Sequence, residues 1–146
     1  HDALPISAKA GSTKEIREKT DMLLLKMHAE NAKDRLPSQV SGGEAQRAAI
    51  ARAMIGNPSL LFADEPTGAL NKANSEEVMN LLTELNNDGQ SILMVTHDVR
   101  AALHGNRILY LEDGKILDEL NLPPYGSDDM KVRENEVNNW LASLQW

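Results

Sequence analysis

The residues best suited to chemistry in this 146-residue chain are Ser41-Gly42-Gly43-Glu44 and the adjacent carboxylates Asp64-Glu65. A hydroxyl followed three residues later by a carboxylate is a capping box, which starts a helix. Glycines at the first two helical positions cost about 1 kcal/mol each relative to alanine. They make sense where the backbone must be approached closely. A helix start with bare N–H groups and a positive dipole end is a ready phosphate site. The same residues also read as an ordinary capped helix opening onto Ala45, Ala48, Ala49, Ala51 and Ala53, and at this level both readings stand.

Leu60 to Ala63 is too short and too apolar for an amphipathic helix and predicts a buried parallel strand, ended at once by Pro66 and Gly68. Carboxylates at the C-terminal end of such a strand lie where open α/β sheets bind ligands. Asp64 can hold a magnesium ion there, directly or through water. Glu65 can orient or deprotonate an attacking water. The bland alternative is a solvated Asp-Glu turn behind a core strand. A second apolar run, Ile92 to Val95, leads to Thr96-His97-Asp98. An imidazole at a strand end can hydrogen-bond a terminal phosphate and keep water and carboxylate in register, although most such histidines are surface or satisfied residues. His1, His28 and His104 lack a comparable setting and receive no role.

Ser-Gly-Gly-x-x-Gln-Arg, then Asp-Glu-Pro-Thr-Gly-Ala-Leu, then Val-Thr-His-Asp, in that order over most of Arg35 to Leu120, resembles the second half of an ATP-binding cassette (ABC) transporter ATPase. The resemblance implies an α/β fold: a partial P-loop NTPase domain with part of a helical subdomain, the C-terminal half of the parallel-sheet core, a closing hairpin and a C-terminal helix. It makes Ser41, Gly42, Gly43 and Glu44 the signature that contacts ATP, Asp64 the Mg2+ residue, Glu65 the catalytic base and His97 the switch histidine. Asn71 falls where the family usually has an aspartate that contacts the opposite subunit. Val40 replaces the usual leucine, and Glu44 the usual glutamine. No Gly-x-x-x-x-Gly-Lys-Ser/Thr phosphate loop occurs among the 146 residues, so the chain alone is expected not to turn over ATP.

Asp64-Glu65-Pro66-Thr67-Gly68-Ala69-Leu70 is similar to cassettes of the lipoprotein-release, macrolide-export and peptide-antibiotic-resistance group of bacterial transporters, and the tail from Arg133 to Leu141 resembles the last of these. The implied partners are a second ATPase subunit, forming a homodimer, and a separate transmembrane permease. The implied location is the cytoplasmic face of the cell membrane. Two other readings are a soluble ABC-type ATPase of the translation-factor or DNA-repair kind, and a non-catalytic fragment. Pro66-Thr67-Gly68 favours transport over the soluble relatives.

Composition agrees with the resemblance. A net charge of −7 and 3% aromatic residues argue against a nucleic-acid surface, which needs a basic stripe and stacking platforms. The absence of cysteine excludes a disulfide scaffold and thiolate metal sites. No apolar run approaches the ~20 residues that span a bilayer.

The elements that must position these residues follow from periodicity. Ile16, Leu23, Leu24 and Met27 share one face of a helix over 14–29, and Val78, Leu81, Leu82 and Leu85 one face of a helix over 75–86. Strand, helix and strand then make a parallel crossover. Asp98 caps a short helix, Asp113-Gly114 turns a hairpin, and a helix over 128–144 closes the chain, with the charge run from Asp128 to Glu136 as its solvated face. The expected divisions are residues 1–7 as non-native, 8–56 as helical subdomain, 57–120 as ATPase core, and 121–146 as linker and closing helix.

Overall fold

The structure, a computed structural model, describes residues 13–146. Residues 1–7, expected to be non-native, lie outside the described residues. The chain divides after Val95 into two compact units.

In the first unit, helix α1 (Thr13–Lys26) is followed by two short 3-10 turns, Glu30–Ala32 and Pro37–Gln39. Helix α2 (Gly42–Met54) packs on α1 and on helix α3 (Lys72–Asn87). Strands β1 (Leu60–Asp64) and β2 (Ser91–Val95) flank α3 in sequence and pair in parallel, Leu61 opposite Ile92 and Phe62 opposite Leu93. The core is that of the sequence pattern. Met27 and Val78 are fully enclosed, and Ile50, Leu61, Leu82 and Leu85 are buried.

The expectation that β1 is buried on both sides is corrected on one of them. Side chains alternate across a strand, and the face carrying Leu61, Ala63, Ile92 and Met94 turns inward. The other face leaves Leu60 52% and Phe62 58% exposed, beside the exposed Leu93 and Val95. The unbroken apolar run is composed for two covered faces. Among the described residues only one is covered.

The second unit is a short helix α4 (Val99–Ala102), an antiparallel hairpin of β3 (Arg107–Glu112) and β4 (Lys115–Asn121), and the closing helix α5 (Met130–Ser143). Asp113 and Gly114 turn the hairpin with φ of 49° and 74°. Both are left-handed, as an Asp-Gly two-residue turn requires. Leu103, Leu122 and Val137 form its core, with Ile108, Leu120 and Leu141 packed against them. Trp140 donates its indole N–H to Asp118 at 3.1 Å and meets the Tyr110 ring edge-on. The solvated-face reading of 128–136 is corrected at one residue: Arg133 is wholly buried.

His104 stacks on Tyr125 at 3.8 Å. Burial, with the nearby Arg133 charge as the lesser cause, pushes its pKa down from 6.5 to about 4. The folded state therefore resists a proton that the unfolded chain accepts, so this contribution to stability is full above about pH 6.5 and is lost as the pH falls toward 4. Thermal unfolding should show the protein less stable at about pH 5 than at about pH 7, and His104→Phe, which keeps the stack, should flatten that difference. An unchanged slope in the variant would assign the acid sensitivity elsewhere.

Candidate functional site

β1 delivers two carboxylates to its C-terminal end. Asp64 is the last residue of the strand and lies on its open, exposed face; Glu65 follows, half-buried. The Glu65 N–H donates to Val95 O at 2.7 Å, so the ladder runs one residue past the strand. Glu65 then turns with φ of 48°, in the left-handed region that non-glycine residues seldom occupy. Such a conformation costs about 1–3 kcal/mol and persists only where its surroundings impose it. Here they do. Pro66 and Thr67 are buried, Gly68 N–H donates to Glu65 O at 3.1 Å, and Leu70 N–H donates to Thr67 O at 3.1 Å. A strained glutamate on a braced turn at the end of a parallel strand is suited to present a carboxylate to a ligand.

Ser41 caps α2 as the sequence predicts, its Oγ accepting from the Glu44 N–H at 3.0 Å. The reciprocal half of the capping box is replaced: the Glu44 carboxylate faces Arg35 at 3.8 Å. The N–H groups of Gly42 and Gly43 head the helix, where no carbonyl of α2 can reach them. The same chain, however, already approaches these glycines closely. A Cβ on Gly42 would stand 3.1 Å from the end of the Leu70 side chain, and one on Gly43 would stand 2.8 Å from Asn74 Cγ and 3.0 Å from Asn74 Cβ. Packing of α2 on the start of α3 is thus one reason for glycine here.

That packing supplies a test. Gly43→Ala gains about 1 kcal/mol in helix propensity but meets an overpacking cost of about 1–3 kcal/mol. A net loss of stability is expected in thermal unfolding. Asn74→Ala in the same background should restore it, because the backbone N–H of Asn74 keeps its cap. If Gly43→Ala is stabilising alone, the contact is too soft to require glycine.

Asn71 has a structural task that the sequence reading did not assign. It is the N-cap of α3, which starts three residues earlier than predicted, and its Oδ1 accepts from the Asn74 N–H at 2.8 Å. An asparagine just ahead of an apolar-periodic run is a cap signal, and it could have been found. Leu70, Asn71 and Asn74 therefore bring the glycine start of α2 to the loop that follows Glu65. Arg47, four residues after Gly43, holds the two helices in register. Its Nη1 donates to Glu77 at 2.7 Å and its Nη2 to His28 O at 3.3 Å, while its buried Nε has no partner among the described residues.

His97 belongs to the second unit. It is exposed and lies between Thr96 and Asp98, where the Asp98 N–H donates to Thr96 Oγ1 at 2.9 Å and Asp98 caps α4. Among the described residues no group of three or more His, Cys, Asp or Glu side chains is arranged to hold a metal. A magnesium site fits Asp64 nonetheless, since this ion takes one or two carboxylates and completes its shell with water and substrate phosphates.

The family described as ABC transporter matches residues 4–68. The macrolide export ATP-binding/permease protein MacB of Pasteurella multocida is 37% identical over 129 residues, 88% of this chain and 19% of that protein. A probable syringafactin export ATP-binding/permease protein of Pseudomonas syringae is 43% identical, covering 74% of this chain and 17% of its own length. The chain therefore spans less than a quarter of these relatives. Among solved structures, the dimeric post-hydrolysis state of the ATP-binding cassette MJ0796, bound to ADP and Pi, is similar with a TM-score of 0.69 at 39% identity, over 84% of this chain and 55% of that one. These similarities, together with the strand-end carboxylates and the glycine-headed helix, place the chain within an ATP-binding cassette.

Proposed function

We propose that these residues are part of an ATP-hydrolysing subunit that powers a membrane transporter, and that they serve two different nucleotides. The observation that carries the reading is the left-handed Glu65 held at the end of β1 beside Asp64. ATP supplies the phosphoanhydride bond, and a bound Mg2+ would supply positive charge against its phosphates. Asp64 would hold that cation. A Glu65 carboxylate oxygen takes the proton of the water that attacks the terminal phosphorus as its bond to the leaving ADP breaks, and His97 hydrogen-bonds the terminal phosphate. Ser41, Gly42, Gly43 and Glu44 present the head of α2 to a nucleotide bound by a second copy of the subunit, and Asn71 lies beside them at the start of α3.

The dimeric state of the MJ0796 cassette supports a dimer here, and the export ATP-binding/permease names of the relatives support a membrane permease as partner. The described helices include none long and apolar enough to cross a membrane. The subunit sits at the cytoplasmic face of the membrane, against a separate permease. The 146 residues alone do not turn over ATP, for want of a phosphate loop. Replacing Glu65 by glutamine in the full-length protein tests the reading, since it removes the proton acceptor and keeps the shape.

A further inference from the structure

Arg133 is the largest fully buried side chain among the described residues, and no part of the proposed hydrolysis uses it. Its Nε donates to Leu103 O at 2.7 Å and its Nη2 to Gly105 O at 2.8 Å. Its Nη1 donates to Pro123 O at 2.7 Å and to both carboxylate oxygens of Asp128, at 3.1 and 3.2 Å. The guanidinium carbon stands 5.5 Å from the centre of the Tyr125 ring, on which His104 stacks. A buried charge is often replaceable by a well-packed apolar side chain without loss of stability. Stability alone therefore does not require an arginine. What its planar fork adds is a fixed geometry among the three carbonyls and the carboxylate.

Two of those carbonyls, at Leu103 and Gly105, directly follow α4. A helix of this length has little stability of its own and depends on tertiary contacts. At its other end Asp98 caps it, accepting from the Arg100 N–H at 2.9 Å, and Asp98 is tied back to Thr96. The segment from Thr96 to Gly105 is thus braced at both ends, with His97 inside the first brace and Arg133 forming the second.

We propose that Arg133 is a positioning residue for His97: from the closing helix it pins the C-terminal end of α4 and so sets the backbone from which the imidazole projects. This rests on the role given to His97 above. Lysine cannot substitute, because a point charge with three rotatable donors does not reproduce the fixed fork that reaches three carbonyls and a carboxylate.

The test is a double-mutant cycle in the full-length protein. Arg133→Lys should lower kcat about tenfold while KM for ATP stays within about twofold. In a His97→Ala background the same change should alter kcat by no more than about twofold, because the group it positions is gone. A merely structural arginine would slow both backgrounds alike, and that result overturns the proposal. Wild-type turnover in Arg133→Lys also overturns it. Wild-type turnover in His97→Ala would instead remove the role of His97 itself, and the proposal with it, so the two failures are distinguishable. Should Arg133→Lys not fold, Asp128→Asn weakens the anchor and keeps the carbonyl bonds; the same dependence on His97, about threefold in size, is then expected. Equal slowing in both backgrounds overturns the proposal there too.

Discussion

Glu65→Gln in the full-length protein should slow ATP hydrolysis by about 10²–10⁴-fold, the usual range for loss of a general base. Affinity for Mg-ATP should be retained. Glutamine matches glutamate in size and in its cost for left-handed backbone, so the turn at φ of 48° is left in place and only the proton acceptor is lost. Glu65→Gly separates strain from chemistry. It relaxes the backbone and should stabilise the protein by up to about 2 kcal/mol, yet hydrolysis should fall as far as in the glutamine variant. Phosphate release, nucleotide titration and thermal unfolding read the three quantities. Near wild-type turnover in Glu65→Gln would make Glu65 a turn residue and nothing more.

How much of this was legible in the sequence varied with the kind of signal. The elements were clear where periodicity and punctuation agreed. Val78, Leu81, Leu82 and Leu85 give the face that α3 buries, and Asp113-Gly114 gives the turn. The strand-end placement of Asp64 and Glu65 was equally plain, because Pro66 and Gly68 allow the strand no further residues. Four features were not. The open face of β1 was hidden because apolar composition records what a strand is made to bury, not what covers it among the described residues. The glycines of α2 read as an invitation to a ligand; only packing shows that Leu70 and Asn74 also come close to them. Arg133 lies in a run of charged residues, and a side chain that satisfies its charge on carbonyls distant in sequence leaves no local trace. The left-handed turn at Glu65 also has no residue-type signal, since glycine or asparagine would be the ordinary choice there.

The second large effect is expected at the head of α2. Gly42→Asp sets an anion at a helix start that otherwise attracts one. The fold should tolerate it, because the added Cβ meets only the mobile end of Leu70 at 3.1 Å. The variant should still bind ATP at its own site, but should neither dimerise with ATP nor hydrolyse it, a loss of more than about a hundredfold in turnover.

Mixing the two variants asks whether one chain's glycine start and its own Glu65 serve the same nucleotide or different ones. A mixed pair holds one site with both an intact Glu65, from the Gly42→Asp copy, and an intact glycine start, from the Glu65→Gln copy. Phosphate release from an equal mixture should rise well above the sum of the two variants measured alone, since only a mixed pair has a whole site. If release from the mixture stays at the sum of the two variants measured alone, while both are folded and bind ATP, the glycine start and Glu65 act on one nucleotide and the two-copy arrangement is wrong.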